Sequence, residues 1–503
     1  MIFNSRTICN SLEISKSILI ETSISDKGIP VFEISGLISK SIEESKKRII
    51  TAFSSSAIQF PLKNICVNLS PAEINKEGTY FDLSIAATIL QYTHSISVAP
   101  SDVFIGELSF DGSIRGVSSL VFLVLIAQEL GFKRIFVPGE QSSELQFIKE
   151  VEIFPVSNLK DLLNIHEIRP IKPSNLVSES YSPEGTRFNQ ILGNERGKKV
   201  LGYCLAGRHN LLFEGFPGTG KSLLAKASTD LLPQLGIAEA LSMLKVYSYL
   251  GLSRKECELF CPPFRSPHNS SSYSAIFGTT GNKVYPGELA LSHNGVLFLD
   301  EFPEFNRLVI EGLRSPLEDK YVSVSRGKGK ITFPCDFILI ATQNPCKCGY
   351  FNHPKVECRC SPQEISRYRN RISGPILDRI DVQLSFNSDI SNVLGKEHKH
   401  CSYVEYEKLR TRVLDVRNYL SNLNSAHKSL SNPQSDLSNS YIQDRLRNEV
   451  TVLVSNAQEK YSISNRKIFK VLNLSFTISL FKNKEDISAE DFFEALNLAN
   501  LAR

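Results

Sequence analysis

Eight consecutive residues, Gly215-Phe216-Pro217-Gly218-Thr219-Gly220-Lys221-Ser222, carry the most specific chemistry in this chain. The apolar run Leu211-Leu212-Phe213 leads into them, and Leu223-Leu224-Ala225 leads out with helical character. A glycine-rich turn between a strand and a helix converges backbone N–H groups on phosphate, with the lysine on the β/γ-phosphates and the hydroxyl on Mg²⁺. The expected ATP cradle is therefore Gly215, Phe216, Pro217, Gly218, Thr219, Gly220, Lys221, Ser222 and Leu223. Downstream, Gly295-Val296-Leu297-Phe298-Leu299-Asp300-Glu301 reads as an apolar strand ending in two carboxylates. Asp300 suits the Mg²⁺ shell. Glu301 suits orienting or deprotonating an attacking water, the step that separates a hydrolase from a nucleotide binder. This strand is expected to lie beside the one that feeds the phosphate loop.

A second cluster is Cys346-Lys347-Cys348 followed by Cys358-Arg359-Cys360. Four thiolates this close suit a tetrahedral Zn²⁺ if the loop folds back, and a fully ligated ion would be structural rather than catalytic. The C-x-C spacing is tighter than usual, so four reduced surface thiols are the alternative. Arg326-Gly327-Lys328-Gly329-Lys330 sits between strand-like Tyr321-Val322-Ser323-Val324 and Ile331-Thr332-Phe333. Arg326, Lys328 and Lys330 are thus candidate contacts for a nucleic-acid backbone at a hairpin tip, or simply an exposed basic turn. His398, His400 and Cys401 lack a fourth ligand and suit a solvated segment. Cys9, Cys66, Cys204, Cys257, Cys261 and Cys335 are scattered and expected to be buried as small apolar residues.

The elements that position these groups must come from an α/β chain of several domains, since 503 residues exceed one compact core. Fifty-seven basic against 53 acidic residues leave a net charge of +4, which announces no nucleic-acid binder, so any DNA contact must be local. No apolar run has membrane-spanning length and the N-terminus lacks a signal pattern, which predicts a cytoplasmic protein with reduced cysteines. Residues 1–166 read as an α+β domain with strands at Val31 to Ile34 and Ile65 to Leu69 and a helix over Ser41 to Phe53. Pro170, Pro173 and Pro183 mark 167–186 as a linker. An ATPase core with a parallel sheet and helices on both faces is expected over 187–386, carrying the cysteine loop 346–360. Residues 387–503 read as polar at first, partly helical through Tyr406 to Arg417, and then as a helical lid.

Beyond these motifs, a family resemblance extends over most of the chain. The blocks Gly207 to Leu212, Pro263 to His268, Pro286-Gly287-Glu288, His293 to Glu301, Pro316 to Asp319 and Ser373 to Asp381 resemble, in order, those of magnesium-chelatase-like AAA+ ATPases of the ComM and YifB kind. Phe60 to Lys63, Val67 to Ala72, Lys76 to Gly78, Phe81 to Leu83 and Gly106 to Gly112 resemble the same family's front domain. The resemblance implies that Asn344 is a sensor for the γ-phosphate or attacking water, that Arg379 is an arginine finger offered to a neighbouring subunit, and that Arg466 is a lid arginine reading nucleotide state. For the two arginines, plain surface roles are the alternatives. It also implies a homo-oligomeric ring, usually a hexamer, with the 326–330 hairpin facing its pore.

The front domain is similar to Lon-type protease domains, of ribosomal-S5-domain-2-like fold. That mechanism needs a serine and a lysine within reach of each other. Tyr80 and Val121 stand at those positions, so the domain is expected to bind or assemble rather than cut, with Lys76 and Glu77 as contacts or solvated loop charges. Arg265 and His268 are further candidates for pore or nucleotide contacts, although Asn269 stands where the family commonly has a second histidine. Other departures are Asn194, Phe216, Asn473 and Phe476. The expected function is an ATP-hydrolysing ring motor on branched or single-stranded DNA, driving branch migration in homologous recombination or natural transformation alongside recombination proteins. The alternative is a chelatase-type ATPase that remodels a protein partner for metal insertion.

Overall fold

A computed structural model describes the chain apart from residues 10–15, 28, 75, 174–184, 192, 253–258, 281–283, 327–328, 387–402, 428–440, 443, 462 and 501–503. Cys257, Lys328, His398, His400, Cys401 and most of the expected linker therefore lie outside the described residues. Strands β1 (Ile2–Cys9) and β2 (Lys16–Ser25) pair antiparallel, and β3 (Phe32–Ser35), β4 (Asn64–Ser70), β5 (Asp102–Phe104), β6 (Arg134–Pro138) and β7 (Glu152–Val156) complete a mixed sheet. Its order is β3-β4-β2-β1-β5-β6-β7. Helices α1 (Lys40–Ser55), α2 (Asp82–His94) and α3 (Leu120–Glu129) pack on this sheet. The buried Asp82 that opens α2 is held by Arg48 of α1 at 2.6 Å, so the charge is paired where it leaves water.

One expectation fails in this region, and one pair of alternatives is decided. Cys66 is exposed, because β4 alternates buried Ile65, Val67 and Leu69 with outward residues and Cys66 falls on the outward register. Lys76 is not a solvated loop charge: it is fully buried, and its Nζ donates to the carbonyl oxygens of Pro71 at 2.5 Å and Ile74 at 2.9 Å. Those carbonyls replace the water that burial removes. Glu77 is half-buried.

The second sheet carries the phosphate loop. Its framework comprises α4 (Glu195–Gly207), β8 (Leu211–Gly215), α5 (Lys221–Lys226), α6 (Ile237–Tyr249), β9 (Phe264–Arg265), β10 (Val296–Leu299), the hairpin β11 (Tyr321–Arg326) and β12 (Gly329–Pro334), β13 (Ile338–Gln343), α7 (Pro362–Arg369) and β14 (Val382–Phe386). Five strands run parallel in the order β9-β10-β13-β8-β14. This corrects the expected neighbour of the phosphate-loop strand: β13, not β10, lies beside β8. An apolar pattern states that a strand is central and says nothing about which strand it pairs with.

Alternation along the parallel strands divides their side chains between two cores. Leu212, Leu297, Leu299, Leu339 and Ala341 face a core shared with the front sheet, and Leu211, Phe213, Val296, Phe298, Ile338 and Ile340 face a second. Each buried Leu, Ile, Val or Phe among them contributes about 2 kcal/mol. The second core is closed by α8 (Tyr403–His427), α9 (Asn448–Tyr461), α10 (Asn465–Phe481) and α11 (Ala489–Leu498). Beside β10, a Cβ on Gly295 would meet the Pro263 carbonyl oxygen at 1.9 Å, so only glycine lets the chain before β9 approach this closely.

The front sheet docks directly on the nucleotide-carrying unit. Phe122 of α3 meets Tyr249 of α6 edge to face with centroids 5.2 Å apart, and its backbone N–H donates to Ser248 Oγ at 3.0 Å. Glu129 pairs with Lys245 at 2.5 Å. Val121 and Tyr80 are both buried, Tyr80 stacked on Phe81. Both side chains are thus packing groups of the front domain.

Candidate nucleotide site

The loop leaving β8 bends through two glycines with left-handed backbone, Gly218 at φ +79° and Gly220 at φ +83°, before α5 begins at Lys221. A β-carbon would disfavour both turns. Thr219 Oγ1 donates to the Phe216 carbonyl at 2.9 Å, closing the loop on itself. Asn194, at the start of α4, donates from Nδ2 to the Thr219 carbonyl at 3.3 Å. Pro217 and Gly218 stand exposed at the tip, Phe216 is half-buried, and Leu223 is 41% exposed on the first turn of α5.

Lys221 is buried, and its Nζ donates to the carbonyls of Gly215 at 2.6 Å and Phe216 at 2.7 Å and to Asn344 Oδ1 at 3.3 Å. Burial lowers its ammonium to about 8, against the pull of Asp300, Glu214 and Glu301. Ser222 Oγ lies 3.0 Å from both carboxylate oxygens of Asp300, and Thr342 Oγ1 donates to Asp300 at 2.5 Å. Hydroxyl and carboxylate oxygens converging beside a phosphate cradle are the donor set that Mg²⁺ takes, so the residues fit the ion. The Glu301 N–H donates to Thr342 Oγ1 at 2.9 Å, which ties the carboxylate pair to β13. Because β13 lies between β8 and β10, Asn344 at its end stands between Lys221 and the Asp300–Glu301 pair.

Glu301 holds a left-handed backbone, φ +53°, uncommon for a residue with a side chain. Its carboxylate accepts from Asn269 Nδ2 at 3.2 Å. Sequence reasoning noted Asn269 only as a departure; its role depends on the chain beyond β9 folding back over β10, which no local pattern announces. Asn194 was likewise noted only as a departure, and Thr342 and Glu318 were given no role, because their partners Thr219, Glu301 and Arg379 lie far along the chain. Arg265 is not a free cation, since it pairs with Glu288 at 2.6 and 2.7 Å, and His268 Nδ1 lies 2.7 Å from Ser270 Oγ.

Arg379 and Arg466 gather elsewhere. Arg379 donates to the carbonyls of Arg314 and Pro375, each at 2.8 Å, and pairs with Glu318. Arg466, on the first turn of α10, pairs with the same Glu318 at 2.7 Å. Lys467 and Lys470 anchor that helix to Asp378 and Asp381 at 2.7 and 2.6 Å. Arg379 precedes β14, whose register runs from Leu211↔Val382 to Gly215↔Phe386, and Asn210 Nδ2 donates to its carbonyl. It therefore sits at the start of the strands whereas the phosphate loop sits at their ends, about 16 Å along the sheet at 3.3 Å per residue.

The sulfur atoms of Cys346, Cys348, Cys358 and Cys360 all lie within 4.8 Å of one another, three of them 3.3 to 3.6 Å apart. A tetrahedral ZnS₄ centre sets its sulfurs about 3.8 Å apart, so the four thiols fit the ion. The basic hairpin forms as β11 and β12, pairing Arg326↔Gly329 and Ser325↔Lys330. No described helix is long and apolar enough to cross a membrane.

Comparison with known proteins agrees with this architecture. The family "Magnesium chelatase, subunit ChlI" matches residues 187–393, and "Subunit ChlI of Mg-chelatase" matches residues 20–141. The competence protein ComM of Haemophilus influenzae is 32% identical over 499 residues, 97% of this chain and 95% of its own. The uncharacterized protein YifB of Escherichia coli is 36% identical over 387 residues, 75% of this chain and 74% of its own. The chloroplastic magnesium-chelatase subunit ChlI of Nicotiana tabacum is 24% identical over 300 residues, covering 54% and 66% of the two chains. With the five-stranded parallel sheet and near full-length similarity to ComM, the chain belongs to the ComM/YifB family of magnesium-chelatase-like AAA+ ATPases.

Proposed function

We propose that this chain is one subunit of a ring that hydrolyses ATP at sites shared between neighbours and uses the turnover to move DNA. The observation that carries the reading is the division of the machinery between opposite ends of one sheet. Lys221, Ser222, Asp300, Glu301 and Asn344 converge at the strand ends, whereas Arg379 and Arg466 share Glu318 at the strand starts. The backbone of Arg379 lies about 16 Å along the sheet from its own phosphate loop, and this separation favours a neighbour's nucleotide as the target of its guanidinium.

In this mechanism the P-loop N–H groups and Lys221 bind the phosphates, and Ser222 and Asp300 would hold Mg²⁺, which would supply charge neutralisation on the phosphates. Glu301, oriented by Asn269, takes the proton of the attacking water. Asn344 aligns that water or the γ-phosphate, and the neighbour's Arg379 stabilises charge on the transferred group. The domain division proposed is 1–166, 167–186, 187–386 and 387–503, with a structural Zn²⁺ on Cys346, Cys348, Cys358 and Cys360.

DNA is favoured by the basic hairpin and by near full-length similarity to a protein named for competence. In six subunits, Arg326, Lys328 and Lys330 would present about eighteen cations to a phosphate backbone. Branch migration of recombination intermediates is the reading this supports. The match to chelatase subunits favours a second one, remodelling of a protein partner. The deciding experiment is the ATPase rate without DNA, with single strands and with a four-way junction, using Glu301→Gln as the blank. Stimulation by junction DNA that Lys328→Ala/Lys330→Ala weakens is the expected result. A Glu301-dependent rate indifferent to every DNA rejects the DNA reading and favours the protein partner.

A further inference from the structure

The cysteine loop does more than connect β13 to α7. Between Asn344 and Ser361 the chain forms neither strand nor helix, and among its apolar side chains Val356 is exposed and Phe351 only half-buried. A segment of this length without a core of its own keeps one conformation only if something cross-links it, and here the four clustered thiols are the groups that a metal would cross-link. The face it presents is turned to the phosphate loop. Gly349 comes so close to Pro217 that a Cβ there would meet the proline ring at 2.5 Å, and its φ of +87° is the left-handed turn that makes the approach. His353 meets Phe216 edge to face with centroids 4.6 Å apart. That ring is fixed from its own side, since Nδ1 accepts from the N–H groups of Lys355 at 3.1 Å and Val356 at 2.9 Å.

A third tie runs through α7. Arg369 donates to the Pro345 carbonyl at 3.2 Å, lies over the Phe351 ring at 4.9 Å and approaches Glu214, the residue before Gly215, at 3.9 Å. Within its own segment the phosphate loop is also held by Thr219 and Lys221 on the Phe216 carbonyl and by Asn194 on the Thr219 carbonyl, none of which reaches Pro217 or Gly218 at the tip. We propose that the cysteine loop is a metal-dependent brace on the phosphate loop: Zn²⁺ on Cys346, Cys348, Cys358 and Cys360 fixes Gly349 and His353 against Pro217 and Phe216, coupling metal retention to nucleotide binding. The inference rests on the zinc reading above and goes beyond it, because a staple confined to the loop would hold zinc without touching nucleotide affinity. Coupling of this kind is reciprocal.

The test uses the full-length protein. Zinc is counted by mass spectrometry, and fluorescent ADP is titrated in Mg²⁺ before and after stripping with a zinc-selective chelator and buffer exchange. The expected result is one zinc per chain, about tenfold weaker ADP binding once stripped, recovery on adding zinc, and slower zinc release when ADP is bound. His353→Ala should keep its zinc, bind ADP several-fold more weakly and lose the effect of ADP on zinc release. A protein that neither contains nor takes up zinc overturns the metal reading, and the brace with it. Full zinc in His353→Ala together with ADP affinity within twofold of the parent overturns the brace alone, and decides the matter even if the stripped protein unfolds.

Discussion

At Lys221 the protein keeps a cation in a buried site by lending it backbone carbonyls, and burial holds its ammonium near pH 8. A bound phosphate favours the charged form, so nucleotide affinity is highest below pH 8 and falls as pH rises through it, by up to about tenfold per unit. Fluorescent ADP titrations between pH 7 and 9.5 check the sign, and a flat profile would contradict it. Asn269 holds Glu301 without touching the phosphate loop. Asn269→Ala is expected to lower kcat about tenfold while leaving ADP affinity unchanged, measured by steady-state turnover beside ADP titration. Lys221, Ser222, Asp300 and Glu301 were legible in the sequence because each sits in a short strand-turn segment whose backbone is set locally. Asn269 was not, because its partner lies 32 residues away across a loop crossing.

Elements meet behind the site at a polar knot. Asp336, just before β13, pairs with Arg208 at 2.9 Å and Lys320 at 3.2 Å, while His293, just before β10, accepts the Asp336 N–H at 3.1 Å and lies 2.9 Å from Ser242 of α6. Burial pushes the His293 imidazole down to about 4. Burial opposes ionisation of Asp336, yet Arg208 and Lys320 hold it near 2. Both folded-state values lie below the unfolded ones, so the folded protein refuses protons that the unfolded chain accepts, and stability falls with pH. His293 contributes on the order of 3 kcal/mol that is present above pH 6.5 and lost by pH 4, and Asp336 adds to the loss below about pH 4. Urea melts at pH 7 and 4.5 should differ accordingly, and His293→Gln should flatten the difference. The existence of these strands was legible from apolar runs; their order was not, since a strand buried on both faces looks the same beside any neighbour.

At the scale of the molecule, the proposed sharing of sites makes a specific demand on the proposed ring. Glu301→Gln and Arg379→Ala are each expected to be inactive alone, yet mixing them should restore activity, because an interface can take Glu301 from one variant and Arg379 from the other. Random pairing makes such interfaces about one in four, and the mixed rate gives the check. Recovery absent from co-assembled protein would mean that both groups act within one chain. Family, fold class and the identity of the nucleotide motifs were determined by the sequence by itself, because a phosphate loop, a carboxylate-ended strand and paired cysteines are written in runs of at most fifteen residues. Only the tertiary structure decided that β13 separates β8 from β10, that Glu318 pairs with both Arg379 and Arg466, that Lys76 is buried, and that Phe216 rests on His353. The physical reason is range. Turn and strand propensities act between neighbours in the chain, whereas these contacts depend on which buried faces stack, and many sequences with the same apolar pattern allow more than one answer.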